Sequence, residues 1–130
     1  MRLVVGGAYQ GKRQYVVETY GVSASEMADG AVLEFTENTP RERCVYNFQL
    51  FIKQQLEDGI DFSKIAAWTE QLYRTNPDII MIMDEVGSGI IPMEKSEREW
   101  RETVGRIGCL LAEHAESVER IVCGRAVRIK

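Results

Sequence analysis

The sequence predicts an α/β domain built on a mostly parallel sheet, and three observations predict it. Near the N-terminus a short apolar run, Leu3-Val4-Val5, breaks at Gly6-Gly7, and a helical pattern follows from Gly11. That order is strand, loop, helix. In the second half, Ile79-Ile80-Met81-Ile82-Met83 is continuously apolar and bounded by turn signals. An apolar run without alternation suits a central strand covered on both faces. Between and after these runs, helical and strand-like segments alternate, the pattern of a parallel sheet with crossover helices.

The elements follow in order. The first helix is expected from Gly11 to about Tyr20, with Gly21 ending it. Ser23 to Gly30 is polar, with room for a turn or one helical turn, and Ala31-Val32-Leu33-Glu34-Phe35 reads as a strand. A polar loop from Thr36 to Glu42 contains Pro40. From Cys44 to Glu57 the apolar residues Val45, Phe48, Leu50, Phe51, Ile52 and Leu56 fall at near-helical spacing, and Asp58-Gly59 stops that helix. A third helix starts at Asp61-Phe62-Ser63, carries an inner stripe of Ile65, Ala66, Trp68, Leu72 and Tyr73, and ends at Asn76-Pro77. After the central strand come Asp84-Glu85, a loop from Val86 to Pro92, and a long charged helix from about Glu94 to Ala115. The tail from Arg120 to Ile129 reads as two short strands around a Gly-Arg turn.

The composition bounds the function. A chain of 130 residues, 45% apolar and 28% charged, is expected to form one domain over 1–130 with a substantial core. The net charge is −4, and no basic stripe interleaves with aromatics, which argues against nucleic acid as a partner. No apolar stretch is long enough to span a membrane, and the first residues lack the unbroken apolar run of a signal peptide, so a cytoplasmic protein is expected. Cys44, Cys109 and Cys123 are dispersed without C-x-x-C spacing, as reduced intracellular thiols are. The single histidine, His114, lies on the last helix with no second histidine beside it, and reads as a packed or solvated residue.

The motif that carries chemistry is the N-terminal loop. Gly6 and Gly11 bracket Gly7, Ala8, Tyr9 and Gln10, and Lys12 follows, giving the P-loop spacing G-x-x-x-x-G-K. Glycines let the backbone fold into a nest of inward N–H groups, and the helix behind it adds the positive end of its dipole. The lysine reaches the terminal phosphates of a nucleotide such as GTP or ATP. The fold expected is therefore a P-loop NTPase-like three-layer α/β/α domain with a C-terminal strand pair. Arg13 stands where a Ser or Thr hydroxyl would bind Mg²⁺. A guanidinium cannot ligate a metal and repels one, but it can hold phosphate oxygens in a bidentate manner.

In parallel sheets ligands sit beyond the carboxyl ends of the strands, where the loop, Glu34 and Asp84-Glu85 are all expected. Acids following an apolar strand can hold Mg²⁺ or orient an attacking group, and can equally be solvated carboxylates at a strand end. Glu34, in an otherwise apolar stretch, either meets a partner such as Lys12, Arg13 or a metal, or points at solvent by ordinary alternation.

The C-terminal half carries a more specific pattern. Asp84-Glu85-Val86-Gly87-Ser88-Gly89-Ile90-Ile91-Pro92, then Trp100-Arg101-Glu102, Gly105-Arg106 and Leu110-Leu111-Ala112, resembles the adenosylcobinamide kinase / adenosylcobinamide-phosphate guanylyltransferase family. The closing stretch Val122 to Lys130 and the opening Leu3 to Ala8 are also similar. The resemblance implies a P-loop α/β fold and a role in cobalamin biosynthesis. It implies phosphorylation of a corrinoid alcohol by ATP or GTP, guanylyl transfer through a histidine, and a symmetric homo-oligomer. Carried over residue by residue, Gly6, Gly7, Gly11 and Lys12 match the phosphate loop, Glu34 the acid of the second strand, and Glu85 the glutamate after the central strand. The resemblance thus assigns catalysis to Lys12, Glu34 and Glu85, and Mg²⁺ to the two glutamates. The chain departs from the family in three places: Arg13 replaces the serine, Gly108-Cys109 replaces Asn-Gln, and the segment that holds the guanylylated histidine shrinks to Gly21–Gly30 without a histidine. These departures remove the basis for guanylyl transfer and open an alternative, a non-catalytic nucleotide-binding relative that regulates or scaffolds.

Overall fold

The structure is a computed structural model that describes residues 1–87 and 93–130. A six-stranded sheet in the order β2-β3-β4-β1-β5-β6 forms its centre. The strands are β1 (Arg2–Gly6), β2 (Met27–Asp29), β3 (Cys44–Tyr46), β4 (Ile80–Asp84), β5 (Ser117–Val122) and β6 (Arg125–Arg128). All neighbours pair in parallel except β5 and β6, which form an antiparallel hairpin. The helices are α1 (Lys12–Tyr20), α2 (Phe48–Glu57), α3 (Phe62–Thr75) and α4 (Lys95–His114). The expected α/β class, the mostly parallel sheet and the C-terminal strand pair are all present.

Strand alternation divides the core between two faces. Leu3, Val45, Met81, Met83 and Val118 pack with Phe48, Phe51, Ile52, Ile65, Trp68, Leu72, Ile107 and Leu111 from α2, α3 and α4. The intervening residues Val4, Cys44, Ile80, Ile82 and Ile121 face the other way and pack with Val16 of α1. The result is three layers: α1, the sheet, and the other three helices. On the thicker side the rings of Phe48, Phe51, Trp68 and Phe35 stack in sequence, Phe51 and Trp68 with centroids 4.5 Å apart. The Trp68 indole donates to the Thr36 carbonyl at 2.8 Å, which ties the 33–36 segment to α3.

Two local expectations are corrected. The helix expected from Cys44 begins only at Phe48, and Cys44–Tyr46 is strand β3. Asn47, in a left-handed conformation at φ 54°, turns the chain from one to the other. The strand expected at Ala31–Phe35 lies earlier, at Met27–Asp29, and Gly30–Val32 is a 3₁₀ turn. The Asp29 carboxylate accepts the Ala31 N–H at 2.9 Å, an Asx-type bond that bends the chain away from the sheet. Gly30 then passes so close to Asn47 that a Cβ would sit 2.4 Å from its carbonyl oxygen. The segment carrying Glu34 is therefore irregular, with Leu33 and Phe35 packed on the core beside it. The tail forms its strand pair with Cys123-Gly124 in the turn, one residue earlier than the expected Gly-Arg. Part of the loop expected between β4 and α4, residues 88–92, lies outside the described residues.

Candidate functional site

β1 ends at Gly6, which passes against β5: a Cβ there would sit 2.6 Å from the Ile121 carbonyl oxygen, so no side chain fits. Beyond it the loop turns through Tyr9 and Gly11, both at positive φ, and α1 begins at Lys12. Gly11 supplies no side-chain cap, and the first turn of α1 holds no acid. The first N–H groups and the dipole end of α1 therefore remain available to an anion. A cavity of about 510 Å³ opens over them, lined by Ala8 to Gln14 together with Tyr46, Asn47, Gln49 and Asp84. The loop is pinned from the side by the β5–β6 turn. The Gln10 carbonyl accepts from Gly124 N–H at 2.8 Å, and its side-chain oxygen accepts from Cys123 N–H at 2.7 Å.

Lys12 is the centre of the arrangement. Its side chain is only 7% exposed, and its ammonium donates to the Gly7 carbonyl at 2.6 Å and pairs with the Asp84 carboxylate at 2.7 Å. A buried ammonium needs such oxygens around it. Asp84, the last residue of β4, is held in turn by the Gln49 side chain, whose oxygen accepts the Asp84 N–H at 2.9 Å. Gln49 itself is buried, and its carbonyl accepts from the Trp100 indole at 2.8 Å, linking the site to α4. Arg13 lays its guanidinium over the Tyr46 ring, 3.9 Å from the centroid. Beneath them the Cys44 thiol is pushed up to about 12 by burial, with the nearby Arg13 charge pulling weakly the other way.

The expected site residues divide into two groups. Gly6 and Gly7 lead into the loop, and Ala8, Tyr9, Gln10, Gly11, Lys12 and Arg13 line one cavity. Glu85 and Glu34 do not join them. Glu85 is bound by Arg120 in a two-pronged ion pair, Nε to Oε1 at 2.7 Å and Nη2 to Oε2 at 3.0 Å. Glu34 is exposed and lines a separate cavity with Gln54, Gln55, Asp58 and Ile60. The carboxylate that reaches Lys12 is Asp84. Strand parity is the signal that finds it: Asp84 shares the face of Ile80 and Ile82, toward α1, whereas Glu85 falls with Met81 and Met83. Asn47, Gln49 and Tyr46 were not legible as site residues, because their places depend on the β3–α2 turn. His114 stacks on Tyr73 at the end of α4, with centroids 5.3 Å apart.

These residues fit a phosphate better than a magnesium ion. Arg13 occupies the position of the hydroxyl ligand, and Asp84 and Glu85 are engaged by cations. Among the described residues no group of three or more His, Cys, Asp or Glu side chains converges to hold a metal.

Residues 44–129 match the family described as cobinamide kinase / cobinamide phosphate guanyltransferase. The chain belongs to that family. The match runs from β3 through β6 and spans the positions of Tyr46, Asn47, Gln49, Asp84 and Glu85. Two curated relatives are similar. The bifunctional adenosylcobalamin biosynthesis protein CobU of Escherichia coli (strain K12) is 31% identical over 77 residues, which cover 59% of this chain and 42% of that protein. Its Salmonella typhimurium (strain LT2) counterpart is 36% identical over 75 residues, covering 58% of this chain and 41% of that protein. The matched segment thus spans less than half of each relative's length. In this cobinamide kinase / guanyltransferase family chain, no described helix is long and apolar enough to cross a membrane.

Proposed function

We propose that residues 1–130 act as one nucleotide-binding domain that takes the triphosphate of GTP or ATP in the N-terminal loop and transfers a phosphoryl group to a cobinamide-type alcohol. The observation that carries this reading is the buried Lys12 ammonium at the floor of an open cavity, held by oxygens that a phosphate can replace. The kinase half of the family's description supplies the reaction class. A γ-phosphate entering the cavity draws Lys12 from Asp84 and accepts N–H groups from the start of α1. The substrate hydroxyl oxygen then bonds to the γ-phosphorus as the bond to the β–γ bridging oxygen breaks. The nucleoside diphosphate leaves, and the hydroxyl proton passes to Asp84, freed from Lys12. In this reading Glu85 acts as a positioning acid through Arg120, and Glu34 stands outside the reacting centre.

Transfer of radiolabelled γ-phosphate to adenosylcobinamide tests the reading directly. The intact chain is expected to yield labelled product, and Lys12→Ala and Asp84→Asn to yield none. Tight nucleotide binding without any product would favour the second reading, a nucleotide-binding regulator or scaffold, which Arg13 in the metal-ligand position supports. A homo-oligomer belongs to the same proposal. β6 is an exposed edge strand, and sedimentation of the purified chain reads its state.

A further inference from the structure

We infer that the loop takes uncomplexed nucleoside triphosphate, with Arg13 holding phosphate oxygens in place of a divalent cation. This rests on the phosphate-loop reading above and specifies the form of the ligand. Arg13 directly follows Lys12 in the first turn of α1 and lines the same cavity. Its guanidinium carbon lies over the Tyr46 ring, 3.9 Å from the centroid. A cation–π contact occupies none of the guanidinium's N–H groups in a hydrogen bond to oxygen, so they are left for phosphate acceptors. The contact also fixes a long side chain in advance, which lowers the entropy lost when it grips a ligand.

The acids argue the same way. Asp84 is matched by Lys12, Glu85 by Arg120, and Glu34 lines another cavity. A divalent cation entering the cavity would therefore meet the fixed positive charges of Lys12 and Arg13, with Asp84 the carboxylate that lines it among the described residues. The triphosphate without magnesium carries more negative charge than its complex, and it meets Lys12, Arg13 and the dipole end of α1 together. Charge-assisted, two-pronged contacts of this kind are the strong ones.

Calorimetric titration of the full chain with GTP, once in EDTA and once in excess magnesium, tests this beside Arg13→Ser and Arg13→Lys. Arg13 is exposed, so its replacement leaves both cores in place, and thermal melts check that directly. The intact chain is expected to bind GTP at least as tightly in EDTA as in magnesium. Arg13→Ser is expected to lose about tenfold or more in EDTA, the worth of one charge-assisted contact, and to recover part of it when magnesium is added. Arg13→Lys should fall between, since it keeps the charge without the planar fork. Binding by the intact chain that requires magnesium, with Arg13→Ser unchanged, would overturn this inference and leave the phosphate loop standing. Absence of GTP binding in both media would overturn the phosphate-loop reading and this inference with it.

Discussion

The two faces of the sheet are built to different standards. On one face α2, α3 and α4 cover the strands with stacked aromatics and fully buried aliphatics. On the other, α1 alone covers the sheet, with Val16 its buried apolar contact and two tyrosines at its edge. The Tyr15 and Tyr20 hydroxyls both donate to the Glu119 carboxylate on β5, so polar bonds reinforce what packing supplies sparingly. The loop and Lys12 of the candidate site lie on the thin side and Asp84 points toward them from β4, while Gln49 reaches the site from α2. A helix fixed by few apolar contacts can shift to admit a ligand at small cost, while the opposite face holds the strands still. The comparison teaches that the densely packed core and the candidate loop lie mainly on opposite faces of one sheet, joined through Gln49.

Breaking the thick face should have the largest effect. Phe51 is fully buried between Phe48 and Trp68, and Phe51→Ala is expected to cost about 3–5 kcal/mol in denaturant unfolding. Val16→Ala, its counterpart under α1, should cost only about 2 kcal/mol. Equal losses at the two positions would remove the contrast between the faces.

Next comes the tyrosine–carboxylate cluster. Tyr20 is pushed from its ordinary 10.0 to about 12, first by burial and then by its hydrogen bond to Glu119 and the carboxylate charge. A raised pKa means that the folded state holds the proton more tightly than the unfolded chain. The stabilisation is therefore complete below pH 10 and is lost as pH climbs toward 12. Tyrosinate absorbance during alkaline titration should show Tyr20 titrating late, with Tyr15, raised by burial and the same carboxylate, also above the ordinary value. In Glu119→Gln Tyr20 should titrate earlier, though still above the ordinary value, because burial remains. A smaller change is expected at the loop's lateral tie. Gln10→Ala removes the side-chain bond to the Cys123 N–H and should cost about 1 kcal/mol, read as faster amide exchange at Cys123.

The same contrast explains what the sequence made legible. β4, α3 and α4 stand out because a long apolar run and sustained helical periodicity are regional signals. β2 and β3 are three residues each, too short for any period to show, and the helical spacing after Cys44 runs on through a break that only the left-handed Asn47 reveals. In the site, Lys12 is legible because backbone geometry fixes its spacing from Gly6 and Gly11. The choice of Asp84 over Glu85 depends on which way a strand's last side chain points. That is readable by counting parity from Ile80, but not from the acids' adjacency. Glu34 misled for the opposite reason: an apolar stretch around an acid resembles a strand, yet Leu33 and Phe35 are packed as parts of an irregular segment.

The central claim is that Lys12 sits where a phosphate will bind, with Gly7 and Asp84 holding its place. Titrating the purified chain and Lys12→Ala with GTP and ATP in a calorimeter tests it most directly. The account predicts saturable binding by the intact chain and a loss of at least about tenfold in Lys12→Ala, the worth of one charged contact to phosphate. Equal affinity in the two proteins would contradict it, and would mean that the ammonium belongs to the fold rather than to a ligand.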